Sequence, residues 1–196
     1  MNGKVLMGMT CFLVTLAFAG SAADLKGRVL DKDGMPLADA VVYLTSKNPT
    51  PVTPPSKPAV MDQVEMTFIP HVLPVVVGTT VEFLNSEKAV IRHNVFSPTP
   101  CADRFNLGYF LPGQKASFTF KKPCRAMILC ATHQEMKAWV VVLETPYFAK
   151  TDGQGVYSLS VPPGEYTLSV WHETRKTEHA QALKVSANQT LDIRLP

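Results

Sequence analysis

Short β-patterned runs separated by turn residues fill the chain from about residue 24 onward, and they constrain its fold more than any other feature. The run Leu25 to Ser46 is typical, because two stretches rich in β-branched residues flank the turn pair Asp33-Gly34. A hairpin or a close relative of one requires such an arrangement. Neither a long helical pattern nor a tandem repeat is evident in the sequence. The pattern predicts an all-β protein.

A proline-rich stretch divides this β pattern in two. Five prolines lie between Pro49 and Pro58, and proline at this density cannot supply the N–H donors of a sheet. Residues 51–60 are therefore predicted to be a stiff linker. Beyond them a second β pattern begins at Met61, in which Val64, Met66 and Phe68 alternate with Glu65 and Thr67.

The first residues are typical of an export signal. Lys4 gives a positive start, residues 5–19 are mainly apolar, and Ser21-Ala22-Ala23 offers the small residues that a signal peptidase needs. The apolar run is too short for a spanning helix. Residues 1–23 are predicted to be a cleaved signal peptide, which places the protein in the periplasm with no membrane span in the mature chain.

The charge balance argues against a nucleic-acid partner. Nineteen Lys and Arg residues against sixteen Asp and Glu residues give a formal charge of +3. The sequence contains no basic cluster with interleaved aromatic residues, which is the usual footprint of nucleic-acid binding.

Cysteine usage suggests that one thiol has a special role. Beyond Cys11, which lies in the predicted signal, the chain holds Cys101, Cys124 and Cys130. An odd number in an oxidising compartment leaves one cysteine over. The simplest pairing joins Cys101 to Cys124 in a disulfide and leaves Cys130 as a metal-bound thiolate. Free thiols, or a second metal or redox site at Cys101 and Cys124, are the alternatives.

The stretch "CATHQEM" carries the chemistry. It places Cys130, His133 and Met136 at intervals of three between two strand-like runs, and His93 lies in an earlier β-patterned run. Type 1 copper takes two imidazoles and one thiolate in a trigonal arrangement, with a weak thioether on the axis. Zinc prefers a nitrogen or thiolate to a thioether as its fourth ligand. The pattern therefore favours one copper ion.

The sequence His93-Asn94-Val95, taken with Cys-x-x-His-x-x-Met at residues 130–136, resembles the cupredoxins, and the loop spacing is similar to that of amicyanin. The resemblance implies that His93, Cys130 and His133 are equatorial ligands of one type 1 copper ion and that Met136 is the axial ligand. A two-copper centre would need a second cysteine at position 134, where this chain has Gln134. A cupredoxin fold that has lost or changed its metal is the alternative.

The residues around the ligands depart from the cupredoxin pattern. Asn94 matches an asparagine that ties the ligand loop to the neighbouring strand in that family. Ala131 stands where a Thr or Ser is usual, so Asn94 loses its hydroxyl partner. Thr132 is expected to offer its backbone N–H to the Cys130 sulfur, which would raise the reduction potential.

The outer parts of the chain resemble a second family. "GRVLDKDGMPLADAVVYL" and "TDGQGVYSLSVPPGEYTLSV" are similar to the two halves of a carboxypeptidase regulatory-like, or starch-binding-like, β-sandwich. The resemblance implies a Greek-key cupredoxin sandwich at residues 61–145, inserted into a split sandwich at 24–50 and 146–196. The whole chain is similar to exported bacterial proteins described as methylamine utilization or plastocyanin-like.

These resemblances imply an exported blue copper protein that carries single electrons, with a c-type cytochrome or a quinoprotein dehydrogenase as its partner. It would not be an enzyme, because every coordination position is supplied by the protein. One alternative is a periplasmic copper-binding or delivery protein. Another is a carbohydrate- or wall-binding adaptor with a degenerate cupredoxin domain.

The remaining histidines are given structural roles. His71 lies between prolines and is predicted at the surface, His172 is predicted to form a structural pair with Trp171, and His179 is predicted to be solvated.

Overall fold

The computed structural model describes residues 22–49, 51–99 and 104–196. Its regular elements are seventeen strands, and the described residues contain no helix, which confirms the all-β prediction. It follows that no helix able to cross a membrane occurs in the described ranges. The predicted signal segment lies outside them except for Ala22 and Ala23, and so does Cys101. The cleavage site and the Cys101–Cys124 disulfide therefore stay predictions.

The strands run in chain order as follows: β1 Ala23–Leu30, β2 Val41–Ser46, β3 Ala59–Val64, β4 Thr67–Ile69, β5 Val72–Val76, β6 Thr80–Leu84, β7 His93–Ser97, β8 Phe105–Phe110, β9 Lys115–Thr119, β10 Cys124–Leu129, β11 Lys137–Leu143, β12 Phe148–Lys150, β13 Val156–Val161, β14 Gly164–Trp171, β15 His179–Val185, β16 Gln189–Thr190 and β17 Ile193–Arg194. Strand β3 begins inside the predicted linker segment 51–60.

The first and last parts of the chain build one sandwich, here called the outer sandwich. One sheet has the order β13-β1-β16, with β17 also paired to β1, and the other has the order β12-β2-β14-β15. Residues in β1 alternate between buried and exposed, so that Ala23, Leu25 and Val29 face the core. A half-buried strand requires this two-residue period.

The β1–β2 connection differs from the predicted hairpin. The two strands belong to different sheets, so they flank one core and do not pair with each other. The predicted turn does form, since Gly34 has a positive φ of 85° and donates its N–H to Asp31 O at 3.1 Å. The chain then crosses to the opposite sheet.

Strands β3 to β11 build the inner sandwich. Its sheets have the orders β5-β11-β10-β7-β8 and β4-β3-β6-β9. In β10, Cys124, Ala126 and Ile128 alternate with less buried residues and face the core between the sheets. The chain enters this sandwich through the proline-rich segment after β2 and leaves it through residues 144–147 before β12.

The β pattern that begins at Met61 forms two strands joined by a tight turn. Strand β3 ends at Val64 and β4 begins at Thr67, and the two pair as antiparallel neighbours. Glu65 and Met66 between them have φ values of 51° and 55°. Two positive φ values are typical of a tight two-residue hairpin turn, which Gly, Asn or Asp usually occupies. Glu65 and Met66 are none of these, so no residue of the turn identifies it from the sequence alone.

The two sandwiches meet along β11. A buried apolar cluster at the contact includes Val41, Val141 and Trp171, and Trp139 packs edge-on against Trp171 with ring centroids 5.4 Å apart. Beside the aromatic pair, Glu173 of the outer sandwich accepts the Trp139 Nε1–H at 3.0 Å. The strand that leaves the "CATHQEM" loop is therefore fixed to the outer sandwich.

Candidate metal centre

The "CATHQEM" loop is a short connection between two paired strands. Strands β10 and β11 are antiparallel neighbours up to the pair Leu129 and Lys137, so residues 130–136 must turn the chain within a few ångströms. Met136 donates its N–H to His133 O at 3.1 Å, and Cys130 donates to Met136 O at 3.4 Å. The backbone of the loop is thereby fixed.

His93 reaches the same place from another strand. It opens β7, and β7 pairs with β10 through Phe96 and Leu129. This pairing brings His93 beside Cys130, 37 positions away along the chain. The prediction that a histidine from a separate strand approaches the loop agrees with this geometry.

Three donor atoms converge at this point. His93 Nδ1 and His133 Nδ1 each lie 3.8 Å from Cys130 Sγ, and the two Nδ1 atoms are 3.1 Å apart. All three ligand atoms lie within 4.8 Å of one another. Among the described residues, these three form the group of His, Cys, Asp and Glu side chains that could hold a metal ion.

The donor set fits copper. A thiolate is a soft ligand, and imidazole suits copper, so two imidazoles with one thiolate match a copper site better than a magnesium or calcium site. His93 is 0% exposed and Cys130 is 4% exposed, whereas His133 is half-buried. The centre is therefore enclosed by protein and meets the surface at His133.

Asn94 holds the sulfur and the loop together. Its backbone N–H points to Cys130 Sγ at 3.5 Å, and its side-chain oxygen accepts the Ala131 N–H at 3.3 Å. Its amide group donates to Asn106 Oδ1 at 2.7 Å and to Gly108 O at 2.8 Å. The tether from Asn94 to the loop thus survives the missing hydroxyl at Ala131, because the backbone N–H replaces it. In the described residues, the N–H at the sulfur belongs to Asn94 and not to Thr132.

Met136 lies in the same buried cluster as Cys130. It is 2% exposed, which agrees with an inward side chain. Its role as the axial ligand stays a prediction.

Glu87 is a residue of the site that sequence reasoning missed. His93 Nε2, the ring nitrogen opposite the donor cluster, lies 2.8 Å from Glu87 Oε1. The Met66 N–H donates to the same oxygen at 2.7 Å, and the Glu65 N–H donates to Glu87 Oε2 at 3.1 Å. Burial by itself raises the pKa of Glu87, but these N–H donors outweigh it and hold the pKa below its usual value.

No signal in the sequence pointed to Glu87. It lies in the polar segment "NSEKAVIR", which is typical of a surface loop, and no metal motif places a carboxylate six positions before a histidine ligand. The contact depends on the unpredicted turn at Glu65 and Met66.

The other histidines lie away from the cluster. His71 is partly exposed and its Nε2 lies 2.6 Å from Glu173 Oε1. His172 is 8% exposed and contacts Thr174 Oγ1 and the Ala38 carbonyl. Cys124 is buried in β10, but its predicted partner Cys101 lies outside the described residues.

No model of a protein family matches the sequence, and no curated protein matches it. Similar solved structures include a Cu-containing nitrite reductase from Thermus scotoductus SA-01, with 29% identity over 48% of this chain and a TM-score of 0.43. A purple cupredoxin from Nitrosopumilus maritimus has 21% identity over 43% of this chain and 99% of its own, with a TM-score of 0.39.

Amicyanin from Paracoccus versutus is a third similar structure. It has 24% identity over 52% of this chain and 98% of its own, with a TM-score of 0.41. By contrast, this chain spans only 25% of the nitrite reductase. The fold described above follows from the strand order, and the candidate metal site follows from the donor set.

Proposed function

We propose that the inner sandwich is a cupredoxin and that the protein is an exported carrier of single electrons. His93, Cys130 and His133 would hold one copper ion as equatorial ligands, with Met136 on the axis. The observation that carries this proposal is the convergence of two imidazole nitrogens and one sulfur within 4.8 Å in a buried place.

The surroundings of the donors support electron transfer. Bound copper would supply a centre that alternates between Cu(I) and Cu(II). The protein's part is to keep the donors in one arrangement, and here Glu87 fixes the His93 ring while Asn94 fixes the loop at Cys130. Donors held in this way need little rearrangement when the charge of the site changes.

A partner would approach at His133, the donor that is not fully buried. By resemblance, the partner is a redox protein such as a c-type cytochrome or a quinoprotein dehydrogenase. With all four coordination positions supplied by the protein, the site offers no position for a substrate, so we propose a carrier and not an enzyme.

Retention of the metal separates this function from copper delivery. Because His93 and Cys130 are almost fully buried, release would require the loop to open. We expect the loaded protein to keep its copper against a competing chelator for far longer than a delivery protein would. Rapid loss to the chelator would favour delivery.

An absorption spectrum tests the proposal. Purified apo protein is loaded with one equivalent of Cu(II), and an intense visible band from charge transfer between the Cys130 thiolate and Cu(II) is expected. Cys130→Ser should abolish the band, whereas Cys124→Ser, which changes another buried cysteine of the same sandwich, should keep it. Stoichiometric copper binding without colour would contradict the proposed ligand set.

Export and the identity of the outer sandwich belong to the same proposal. We expect the protein recovered from the periplasm of an expressing bacterium to begin near Asp24, as N-terminal sequencing would show. The outer sandwich would be a carboxypeptidase regulatory-like domain. Glycan binding by apo protein, unchanged by Cys130→Ser, would favour the adaptor hypothesis over electron transfer.

A further inference from the structure

A buried carboxylate lies next to the donor cluster formed by His93, Cys130 and His133. Glu87 as a residue is partly exposed, but its side chain is only 5% exposed and that of His93 is 0% exposed. Glu87 contacts the Nε2 side of the ring, and the Nδ1 side faces Cys130 and His133. One imidazole therefore joins the carboxylate to the donor cluster.

Backbone amides hold this carboxylate, with no cation of the described residues to neutralise it. The amides of Glu65 and Met66 donate to its two oxygens. His93 is the one described His, Lys or Arg side chain within 4.0 Å of it. Amide dipoles stabilise a carboxylate without cancelling its net charge. The negative charge is therefore still felt by groups on the other side of the His93 ring.

The turn that supplies these amides has an unusual backbone. Glu65 and Met66 both have positive φ, a backbone conformation that residues other than Gly, Asn and Asp adopt rarely. In this conformation two successive N–H groups point to the Glu87 carboxylate. Such strained backbone is found where the surroundings over-determine it, often at functional sites.

We propose that Glu87 positions His93 and lowers the reduction potential of the copper site. A carboxylate acceptor keeps the proton of His93 on Nε2, which leaves the Nδ1 lone pair for the metal. Its negative charge in a site of low dielectric favours the more positive oxidised state. One electron from the redox partner would reduce copper held by His93, Cys130 and His133 from Cu(II) to Cu(I), and the Glu87 charge would make that reduction less favourable. This inference rests on the proposed function.

Glu87→Gln is the test variant, because it removes the charge at almost constant size. The Gln carbonyl can still accept from His93 Nε2 and Met66, although its amide group then faces the Glu65 N–H. Glu135→Gln is the matched control, since it removes the same charge from an exposed position of the ligand loop, where water screens it. Potentials are measured by redox titration of the visible band.

We expect Glu87→Gln to keep the band and to raise the potential. A tenfold change in the Cu(I) to Cu(II) affinity ratio corresponds to about 59 mV for one electron, and we expect at least this shift for Glu87→Gln and clearly less for Glu135→Gln. Glu87→Asp, which retains the charge, should have a lower potential than Glu87→Gln. Equal shifts at positions 87 and 135 would overturn the electrostatic role.

A measurement on apo protein separates this inference from the proposed function. Imidazole ¹⁵N–¹H NMR at neutral pH should find a slowly exchanging proton on His93 Nε2 in the wild type, and Glu87→Ala should make that proton exchange rapidly. A wild-type Nε2 without a proton would overturn the positioning role, even if copper binding gives the expected colour. If the protein instead binds no copper but shows the Nε2 proton, the proposed function fails and the Glu87–His93 contact stands.

Discussion

Two histidine–glutamate pairs occupy different regions of this molecule. His93 Nε2 lies 2.8 Å from Glu87 inside the inner sandwich, with side-chain exposures of 0% and 5%. His71 Nε2 lies 2.6 Å from Glu173 at the contact between the sandwiches, with exposures of 34% and 22%. Glu173 also contacts Lys137 Nζ at 2.8 Å. The pair in the inner sandwich is therefore buried and has no Lys or Arg beside it among the described residues. The pair at the sandwich contact is more exposed and includes Lys137.

The difference shows that the other donors decide what such a pair does. Burial by itself raises the pKa of Glu173, but bonds from Lys137, His71 and Trp139 outweigh it and lower the pKa to about 2. Its charge is compensated locally, so it links the two sandwiches. Glu87 has no such cation among the described residues, so in our proposal its charge acts on the copper that His93 would bind. Residue type alone does not distinguish these roles.

The largest expected effect tests which pair belongs to a metal centre. His93→Ala removes an equatorial donor and should abolish the visible band of the copper-loaded protein. His71→Ala removes the corresponding imidazole at the sandwich contact and should leave the band unchanged. Identical spectra of the two variants would show that His93 contributes no more to the copper site than His71 does.

The next largest expected effect is a difference in the free energy of unfolding between variants of Glu87 and variants of Glu173. Glu87→Ala removes the acceptor of the buried His93 ring and of the Met66 and Glu65 N–H groups, and we expect it to lower the free energy of unfolding by about 2 kcal/mol. Urea unfolding of apo protein measures this loss. A loss below about 1 kcal/mol would show that water reaches these donors and that the carboxylate is not enclosed.

The corresponding change at the sandwich contact should cost less. In Glu173→Ala, the Lys137 ammonium is partly exposed and can turn to water, so we expect a loss of about 1 kcal/mol. Glu135→Ala, an exposed carboxylate with no recorded ion pair among the described residues, is the control and should change stability by less than about 0.5 kcal/mol. A Glu173→Ala loss equal to that of Glu87→Ala would remove the contrast between the two settings.

The smallest effect is a pH dependence. The pKa of Glu173 falls from an ordinary 4.5 to about 2 on folding, so its contribution to stability is present above pH 4.5 and is lost as the pH falls toward 2. We expect the melting-temperature difference between wild type and Glu173→Gln to be constant above about pH 5 and to shrink toward pH 2. A difference that is independent of pH would mean that the Glu173 charge does not stabilise the contact.

The sequence predicted what depends on local spacing. The alternating runs identified an all-β chain, and the ligand loop was recognisable because Cys130, His133 and Met136 are close in sequence and share one short turn. His93 was predicted as a ligand because a histidine from a separate strand was required, and the structure places its ring beside Cys130. These features depend on residues that carry their own signal.

What the sequence could not predict depends on contacts between distant segments. The Glu87 carboxylate is held in place because the turn at Glu65 and Met66 brings two backbone N–H groups to it. That turn contains no glycine or asparagine that would identify it in the sequence. The partnership of His71 with Glu173 spans 102 positions and two sandwiches. Nothing local to either residue encodes such a pairing.

The inner sandwich is joined to the outer one by two separate stretches of chain, the proline-rich segment after β2 and residues 144–147. A protease that cuts only one of these stretches cannot release the inner sandwich, because the other stretch still connects it to the outer sandwich. Release of a free module takes two cleavages, and a singly nicked protein runs intact on a native gel but as two fragments after denaturation.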